Sequence, residues 1–308
     1  MSCRIPLKGI FSAQWLPVDE QGVLNVPSLR AIIGMQREAG IHGILTLGST
    51  GYFPLFSLDE RKELMEQTVE LGGGLPVIAN ISDIDERNVI ALGRHAKKAG
   101  LQMVAVMAPM FYPLSQADLL AYFLHVVEEV ELPLLLYNFP ERSGIKIEIN
   151  TIERFAQRAP LAGVKQSGAD FLYHHDLVKL GERWDFAVLT GEDTQLKAVA
   201  ELGGQGCIGG LSNIVPELLV RAYGQYWLGE SLEVGEVSPT ERLSEVGAMF
   251  NRLEFPLNVA AGIEARGFDP GSWRRTVSPV SKTLYRELVD DLRDKFTAWK
   301  LPMGDKAS

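Results

Sequence analysis

Residues 161–190 read LAGVKQSGADFLYHHDLVKLGERWDFAVLT and contain the unit that recurs along the whole chain. Two short apolar runs, residues 161–165 and 186–190, flank a longer segment that predicts a helix over residues 170–180. The unit therefore predicts a strand, a helix and a second strand. Strands that are apolar throughout are typical of parallel sheets covered on both faces.

Seven further strands are predicted on either side of the strand at 161–165. They lie at residues 9–13, 43–47, 76–79, 103–107, 132–137, 186–190 and 206–209, and a helix is predicted after each strand, including one capped by Ser115 and one capped by Asn150. Eight evenly spaced units favour closure into an α/β fold, the (β/α)8 TIM barrel, over a doubly wound open sheet.

The chain beyond the eighth unit has a different pattern. Residues 1–230 form the predicted catalytic barrel. Residues 231–302 predict helices without strands, at 231–266 and 278–300, and we expect them to form a C-terminal helical extension packed on the barrel. Residues 303–308 predict a disordered tail.

Composition excludes several classes of protein. The chain has 308 residues, is 46% hydrophobic and 22% charged, and carries a net charge of -9, which argues against nucleic acid and anionic membranes as partners. No run approaches the length of a membrane span, and no signal peptide is recognisable. Cys3 and Cys207 do not make a disulfide framework, so a cytoplasmic location is predicted.

Two other signals carry little weight. The segment GQGCIG, residues 204–209, matches the dinucleotide pattern G-x-G-x-x-G, but it leads into a strand, whereas the nucleotide motif leaves a strand and opens a helix. The five histidines are scattered, and their spacing does not resemble a metal triad. We therefore predict no metal.

Lys165 stands at the carboxyl end of its predicted strand. Burial disfavours the charged form of a lysine, and a neutral lysine amine can attack a ketone to form a Schiff base. The alternative is that the strand simply ends there and the ammonium reaches water. The neighbouring strand ends decide between these interpretations.

In a barrel of this kind, chemistry takes place at the carboxyl ends of the strands. The second strand ends in the sequence GSTG, residues 48–51, where backbone amides and the hydroxyls of Ser49 and Thr50 can converge on an anion. The fifth strand ends in Tyr137, whose phenol can move protons. Taken singly, these are a glycine turn and an aromatic rim residue. Together with Lys165 they are the components of Schiff-base chemistry.

The sequence resembles the dihydrodipicolinate synthase / N-acetylneuraminate lyase family of class I pyruvate-dependent aldolases. The resemblance runs from about Ile10 to the C-terminal helices, and its segments are GSTG (48–51), SLDER (57–61), YNFP (137–140), GVK (163–165), GQGCIG (204–209) and Asn213. It implies a barrel with a helical extension, a homotetramer or dimer, and no metal or organic cofactor.

The resemblance also implies roles for individual residues. Lys165 would be the Schiff-base lysine and Tyr137 the proton-transfer tyrosine, while Ser49 and Thr50 would bind the pyruvate carboxylate. The remaining predicted substrate-binding positions are Gly48, Arg142, Gly191, Ile208 and Phe111.

Several positions depart from the family pattern. Tyr52 stands where the family usually has an acid, and Phe111 stands where the synthases place a tyrosine of a proton relay shared with a neighbouring subunit, although Tyr112 is adjacent. Arg142 matches an arginine that those synthases use near a second substrate carboxylate.

The set of residues with which sialic-acid lyases bind a polyol is incomplete in this chain. Asp193 is retained, but Thr194 replaces the next acid, and Gly210 replaces the serine expected after the eighth strand. The resemblance therefore does not point to sialic acid.

We therefore predict a Schiff-base lyase that forms or cleaves a carbon–carbon bond to pyruvate. The first substrate class is a 2-keto-3-deoxy sugar acid or a related 4-hydroxy-2-oxo acid. The alternatives are 4-hydroxy-tetrahydrodipicolinate synthase, which joins pyruvate to aspartate semialdehyde, and a keto-deoxy acid dehydratase. The non-enzymatic alternative is a metabolite-binding regulatory barrel.

Overall fold

The computed structural model describes residues 7–168, 170–233 and 235–304. Eight parallel strands form a closed barrel in which each strand pairs with the next and the eighth pairs with the first. This confirms the predicted (β/α)8 barrel. The strands are β1 Gly9–Ala13, β2 Gly43–Thr46, β3 Val77–Asn80, β4 Val104–Met107, β5 Leu134–Asn138, β6 Leu161–Gln166, β7 Ala187–Thr190 and β8 Gly206–Gly209.

Helices cover the outside of the barrel and continue after it. They are α1 Val26–Glu38, α2 Leu58–Gly72, α3 Glu86–Lys98, α4 Gln116–Val130, α5 Pro140–Ser143, α6 Ile149–Ala156, α7 Phe171–Trp184, α8 Leu196–Glu201, α9 Pro216–Trp227, α10 Pro239–Phe250, α11 Leu257–Ala265 and α12 Pro279–Ala298. Within the described ranges, no helix is both long enough and apolar enough to cross a membrane.

Two features of the helices differ from the prediction. Helix α6 begins at Ile149 rather than after a cap at Asn150, because the Gln116 side chain of α4 accepts the Glu148 N–H at 3.0 Å and the Thr151 hydroxyl at 2.6 Å. The helix predicted over 231–266 is two shorter helices, α10 and α11. Pro256 precedes the second of them and, lacking an N–H, favours a break.

Alternation along the strands divides the core into two layers. Inward side chains such as Phe11, Leu45, Ile78, Leu135 and Ile208 fill the barrel interior. Outward side chains pack against the helices in a larger cluster. Because side chains of a strand alternate between faces, the last inward residue of each strand lies at the carboxyl end of the barrel. That end is where the site residues meet.

Arg266 fastens the C-terminal helices to the barrel. Its side chain is fully buried, and it donates to the carbonyl of Ile214, to the carboxylate of Glu217 at 2.8 Å and to the carbonyl of Pro302 at 2.6 Å. A buried guanidinium with this many acceptors holds three separate segments in one arrangement. The predicted tail at 303–308 lies outside the described residues from position 305 onward.

Candidate active site

A cavity of about 230 Å³ opens at the carboxyl ends of the barrel strands. Its inner part is formed by strand ends and by the loops that follow them, and Lys165 and Tyr137 lie there side by side. Its outer wall comes from α10, α11 and the turn between them. The residues of that outer wall are Gly247, Phe250, Phe255 and Val259.

Lys165 is buried in the inner part of this cavity. Its side chain is 3% exposed, so the strand does not simply end there with its ammonium in water. Strands β5 and β6 pair so that Lys165 lies beside Tyr137, and Nζ is 4.2 Å from the centroid of the tyrosine ring. Within the described ranges, Nζ forms no ion pair with a carboxylate. A buried amine that forms no ion pair is costly to keep for structural reasons, and this points to a chemical role.

The Tyr137 phenol connects the lysine to the loop after β2. Its hydroxyl lies 3.3 Å from the Ser49 Oγ, within hydrogen-bonding distance. Its ring stacks on Phe139, with centroids 5.9 Å apart. A phenol held by its ring and bonded at its oxygen is placed to pass a proton between the lysine side of the cavity and the serine.

The loop after β2 meets the cavity at Thr50, whereas Ser49 is not among the lining residues and contacts the site through its hydrogen bond to Tyr137. The amides of Gly51 and Tyr52 donate back to the carbonyls of Gly48 and Ser49, at 3.1 and 3.3 Å, and close the turn. The amides of Ser49 and Thr50 donate to no acceptor within the described residues. Two N–H groups without an acceptor, beside two hydroxyls, are a set of donors that suits a carboxylate.

Asn80, which the sequence analysis did not single out, holds this loop in place. Leu47 has a left-handed backbone, with φ of 57°, which is strained for a leucine. The buried Asn80 side chain donates to the Leu47 carbonyl at 2.8 Å and fixes this turn. Strain supported by a buried hydrogen bond is typical of loops whose geometry serves a site.

Arg142 lies at the mouth of the cavity on the short helix α5. Its guanidinium carbon is 5.8 Å from the centroid of the Phe139 ring and 5.5 Å from that of Phe255. No ion pair or hydrogen bond of its side chain is formed within the described ranges. Two aromatic faces therefore orient the cation and leave its N–H edge free for an anion.

The other predicted binding positions divide into two groups. Gly191 and Ile208 line the cavity, and Gly191 has to be small, because a Cβ there would lie 2.1 Å from the Ser167 Oγ. Gly48 closes the turn behind Ser49 without lining the cavity. Phe111 lies away from the cavity of its own chain, is 78% exposed and packs edge-on against Tyr112.

Asp193 lines the cavity but uses its carboxylate internally. Oδ2 accepts the amides of Gly210 at 2.9 Å and of Leu211 at 3.2 Å, which tethers the loop after β8. Oδ1 lies over Gly209, where a Cβ would approach it to 1.7 Å. Burial raises the pKa of Asp193 to about 7, although the Leu211 amide bond acts in the opposite direction.

Replacing Asp193 with asparagine should flatten the dependence of folding stability on pH. The native pKa is about 7 and the ordinary value is 3.8, so the folded protein binds more protons than the unfolded chain between these values. Stability contributed at this position therefore falls as pH rises from about 4 to about 7. We expect the difference in melting temperature, Asp193→Asn minus wild type, to increase as the pH is raised from about 4 to about 7. Asp294→Asn, at an exposed position, is the control. A melting-temperature difference between Asp193→Asn and wild type that does not change with pH would contradict the raised pKa of Asp193.

Several residues of the cavity were not predicted from the sequence. Ser167 lies two positions after Lys165 and lines the cavity, so period-two alternation could have indicated it. Phe250, Phe255 and Val259 come from helices far along the chain, and their sequence carries no signal that marks them as a cavity wall. Within the described residues, no group of three or more His, Cys, Asp or Glu side chains is arranged to hold a metal ion.

Comparison with known proteins shows the same architecture and related sequences. The chain is 34% identical over 292 residues to a DapA-like lyase of Thermofilum pendens, covering 93% of this chain and 96% of the relative. It is 31% identical over 240 residues to the 4-hydroxy-tetrahydrodipicolinate synthase of Gluconacetobacter diazotrophicus, covering 78% and 80% of the two chains.

The fold also matches solved structures. The E. coli K12 prophage protein YagE, in complex with pyruvate, superposes with a TM-score of 0.86 at 24% identity, covering 96% of this chain and 99% of the other. The 2-keto 3-deoxygluconate aldolase from Picrophilus torridus gives a TM-score of 0.79 at 24% identity, covering 88% and 99%. At this identity the likeness shows the fold alone.

The model of the dihydrodipicolinate synthetase family matches residues 6–295, nearly the whole chain. This confirms the resemblance found in the sequence motifs. The chain belongs to the dihydrodipicolinate synthetase family and is an enzyme of that family, a pyruvate-dependent lyase.

Proposed function

We propose that this enzyme cleaves a 4-hydroxy-2-oxo acid into pyruvate and an aldehyde through a Schiff base on Lys165, and catalyses the reverse condensation. The observation that carries the proposal is the buried Lys165 amine, which forms no ion pair within the described residues and lies against the Tyr137 ring. Among lysine roles, nucleophilic attack on a ketone makes use of this arrangement.

The first half of the reaction builds the electron sink. The Lys165 Nζ attacks C2 of the oxo acid and forms a carbinolamine. Tyr137 then delivers a proton to the carbinolamine oxygen, which leaves as water, and the carbon–nitrogen double bond of the iminium forms. The substrate carboxylate accepts hydrogen bonds from the amides and hydroxyls of Ser49 and Thr50, and this holds C2 beside Nζ.

The second half breaks the carbon–carbon bond. The C4 hydroxyl gives up its proton to Tyr137, the C3–C4 electron pair moves into the iminium, and the aldehyde leaves. Tyr137 returns this proton to C3 of the enamine, and water then hydrolyses the iminium to release pyruvate and the free amine. Hydrogen bonding of the Tyr137 phenol to Ser49 supports both proton transfers, since it orients the hydroxyl.

Borohydride trapping tests this proposal. The protein is incubated with pyruvate, reduced, and analysed by intact mass and peptide mapping. We expect one reduced pyruvyl group per chain, on the peptide that contains Lys165. A folded protein that acquires no adduct, or that acquires it on an exposed lysine such as Lys179, would overturn the proposal.

Condensation of pyruvate with aspartate semialdehyde is the second candidate. Arg142 favours it, because an oriented guanidinium without a carboxylate partner within the described residues suits the carboxylate of that aldehyde. Arg142→Gln should then raise the KM for aspartate semialdehyde and leave the KM for pyruvate unchanged. Equal effects on the two substrates would count against this candidate.

We also propose that the enzyme assembles as a homotetramer or dimer through the surface around Phe111. Phe111, Tyr112 and Ile84 are 78%, 69% and 58% exposed, and Tyr112 and Ile84 line one shallow surface depression. Large exposed apolar side chains in one region mark association sites. Phe111→Glu is expected to shift the sedimentation coefficient toward a smaller species, with Leu172→Glu, 81% exposed on α7, as the control. An unchanged coefficient for both variants would contradict the proposal.

A further inference from the structure

The outer wall of the cavity is lined by apolar side chains. Phe250 is 8% exposed and Val259 2%, the ring of Phe255 completes the wall, and Leu211 and Phe139 also line the cavity. Burying an apolar group against such a wall is favourable, whereas burying a hydroxyl without a partner is not. An apolar part of the substrate is therefore expected to bind against this wall.

The neighbouring side of the cavity carries the Asp193 carboxylate and the hydroxyls of Thr194 and Ser167. The Asp193 Oδ2 holds the amides of Gly210 and Leu211. Thr194 turns its methyl group toward α10, where a Cβ on Gly247 would lie 2.8 Å from its Cγ2. Gly210 has no side chain to offer. The two hydroxyls can bond one or two substrate oxygens, but a chain of hydroxyl groups packed against the wall of Phe250, Phe255 and Val259 would lose its water without gaining equivalent partners.

Two charged groups remain at the cavity. Glu192 and Arg142 both line it, and neither side chain forms an ion pair within the described residues. One carboxylate can accept from one or two hydroxyls, which falls short of a polyhydroxylated tail. Arg142 is held on aromatic faces and adds flat apolar surface as well as charge.

We infer that the aldehyde released from C4 of the substrate has an apolar body, an aromatic ring or a branched aliphatic chain, and that Phe250, Phe255 and Val259 of the C-terminal extension select it. This inference rests on the proposed function of the same cavity. The bond that breaks is still C3–C4, and the C4 hydroxyl still becomes the aldehyde oxygen after losing its proton. The apolar body stays bonded to C4 throughout and packs against the wall.

Competing substrates test the inference. The kcat/KM for pyruvate release is measured with 4-hydroxy-2-oxo-4-phenylbutanoate, with 4-hydroxy-2-oxo-5-methylhexanoate and with 2-keto-3-deoxygluconate, and the condensation of pyruvate with aspartate semialdehyde is measured beside them. We expect the better of the two apolar substrates to exceed the sugar acid and aspartate semialdehyde by roughly tenfold or more. A higher kcat/KM for the sugar acid or for aspartate semialdehyde would overturn the inference.

Borohydride trapping with pyruvate separates this inference from the function on which it rests. Absence of an adduct on Lys165 removes the Schiff-base function and the inference with it. Presence of the adduct together with a preference for a polar aldehyde leaves the function standing and overturns the inference alone.

A matched pair of variants tests whether the wall makes the selection. Val259→Thr keeps the shape of the side chain and places a hydroxyl at the wall, whereas Val280→Thr makes the same change on α12, where the side chain is 70% exposed. We expect Val259→Thr to lower the ratio of apolar to sugar-acid kcat/KM several-fold and Val280→Thr to leave it unchanged. If Val259→Thr does not fold, Phe255→Gln is expected to act in the same direction. A folded wall variant with an unchanged ratio contradicts the assignment.

Discussion

Lys165→Ala is expected to lose the borohydride-trapped adduct completely and to lower kcat/KM by on the order of 10⁴-fold or more. The amine forms the Schiff base through which every later step of the proposed reaction passes, and no other lysine lines the cavity within the described residues. Without the iminium, the electron pair of the C3–C4 bond has no acceptor, so binding alone cannot rescue the rate. Trapping and steady-state kinetics measure the two effects.

The same variant separates chemistry from folding. Lys165 is buried without a carboxylate partner within the described residues, so its removal breaks no ion pair and relieves the desolvation of an amine. We expect the melting temperature of Lys165→Ala to be equal to or higher than that of the wild type. Lys179→Ala, on the exposed face of α7, should retain full activity. An active Lys165→Ala enzyme would refute the mechanism.

Tyr137→Phe is expected to lower kcat by roughly 10² to 10³-fold, with the pyruvate adduct still formed at a reduced rate. Phenylalanine keeps the ring that stacks on Phe139 and faces Nζ, and it removes the hydroxyl that pairs with Ser49. The change therefore takes away proton transfer and leaves the lysine in place. Single-turnover trapping and kcat together show this pattern.

Tyr226→Phe is the matched control for this variant. Its hydroxyl bonds to the Thr240 Oγ at 3.1 Å between α9 and α10, outside the residues that line the cavity. We expect Tyr226→Phe to keep the wild-type kcat. If Tyr137→Phe also kept it, the phenol would have no part in proton transfer, and Ser49 or bound water would have to carry the proton.

The fold could be predicted because its strands are buried on both faces. Runs such as residues 103–107 and 132–137 have no polar interruption, and the structure places β4 and β5 within a few residues of them. The start of α6 could not be predicted, because its first turn is satisfied by Gln116, a side chain from another helix. Contacts between distant segments leave no periodic signal in either segment.

The central residues of the site could be predicted from the sequence, as the strands could. Lys165, Tyr137 and Thr50 line the cavity, as residues at the ends of barrel strands should. The roles assigned to them remain predictions that the variants above test. Asn80 was missed because an asparagine at a strand end has many uses, and its bond to Leu47 is visible only in three dimensions.

The outer wall comes from a late part of the chain, and this sets the order in which the parts of the cavity are made during synthesis. A ribosome that has translated all eight strands has already produced the nucleophile and the phenol. The residues of the outer cavity wall, between Phe250 and Val259, follow later, and the Pro302 carbonyl that accepts from Arg266 comes later still. Under the proposed function, a barrel that closed before these segments were made would expose the Lys165 amine to oxo acids before the chain could discriminate among their aldehydes.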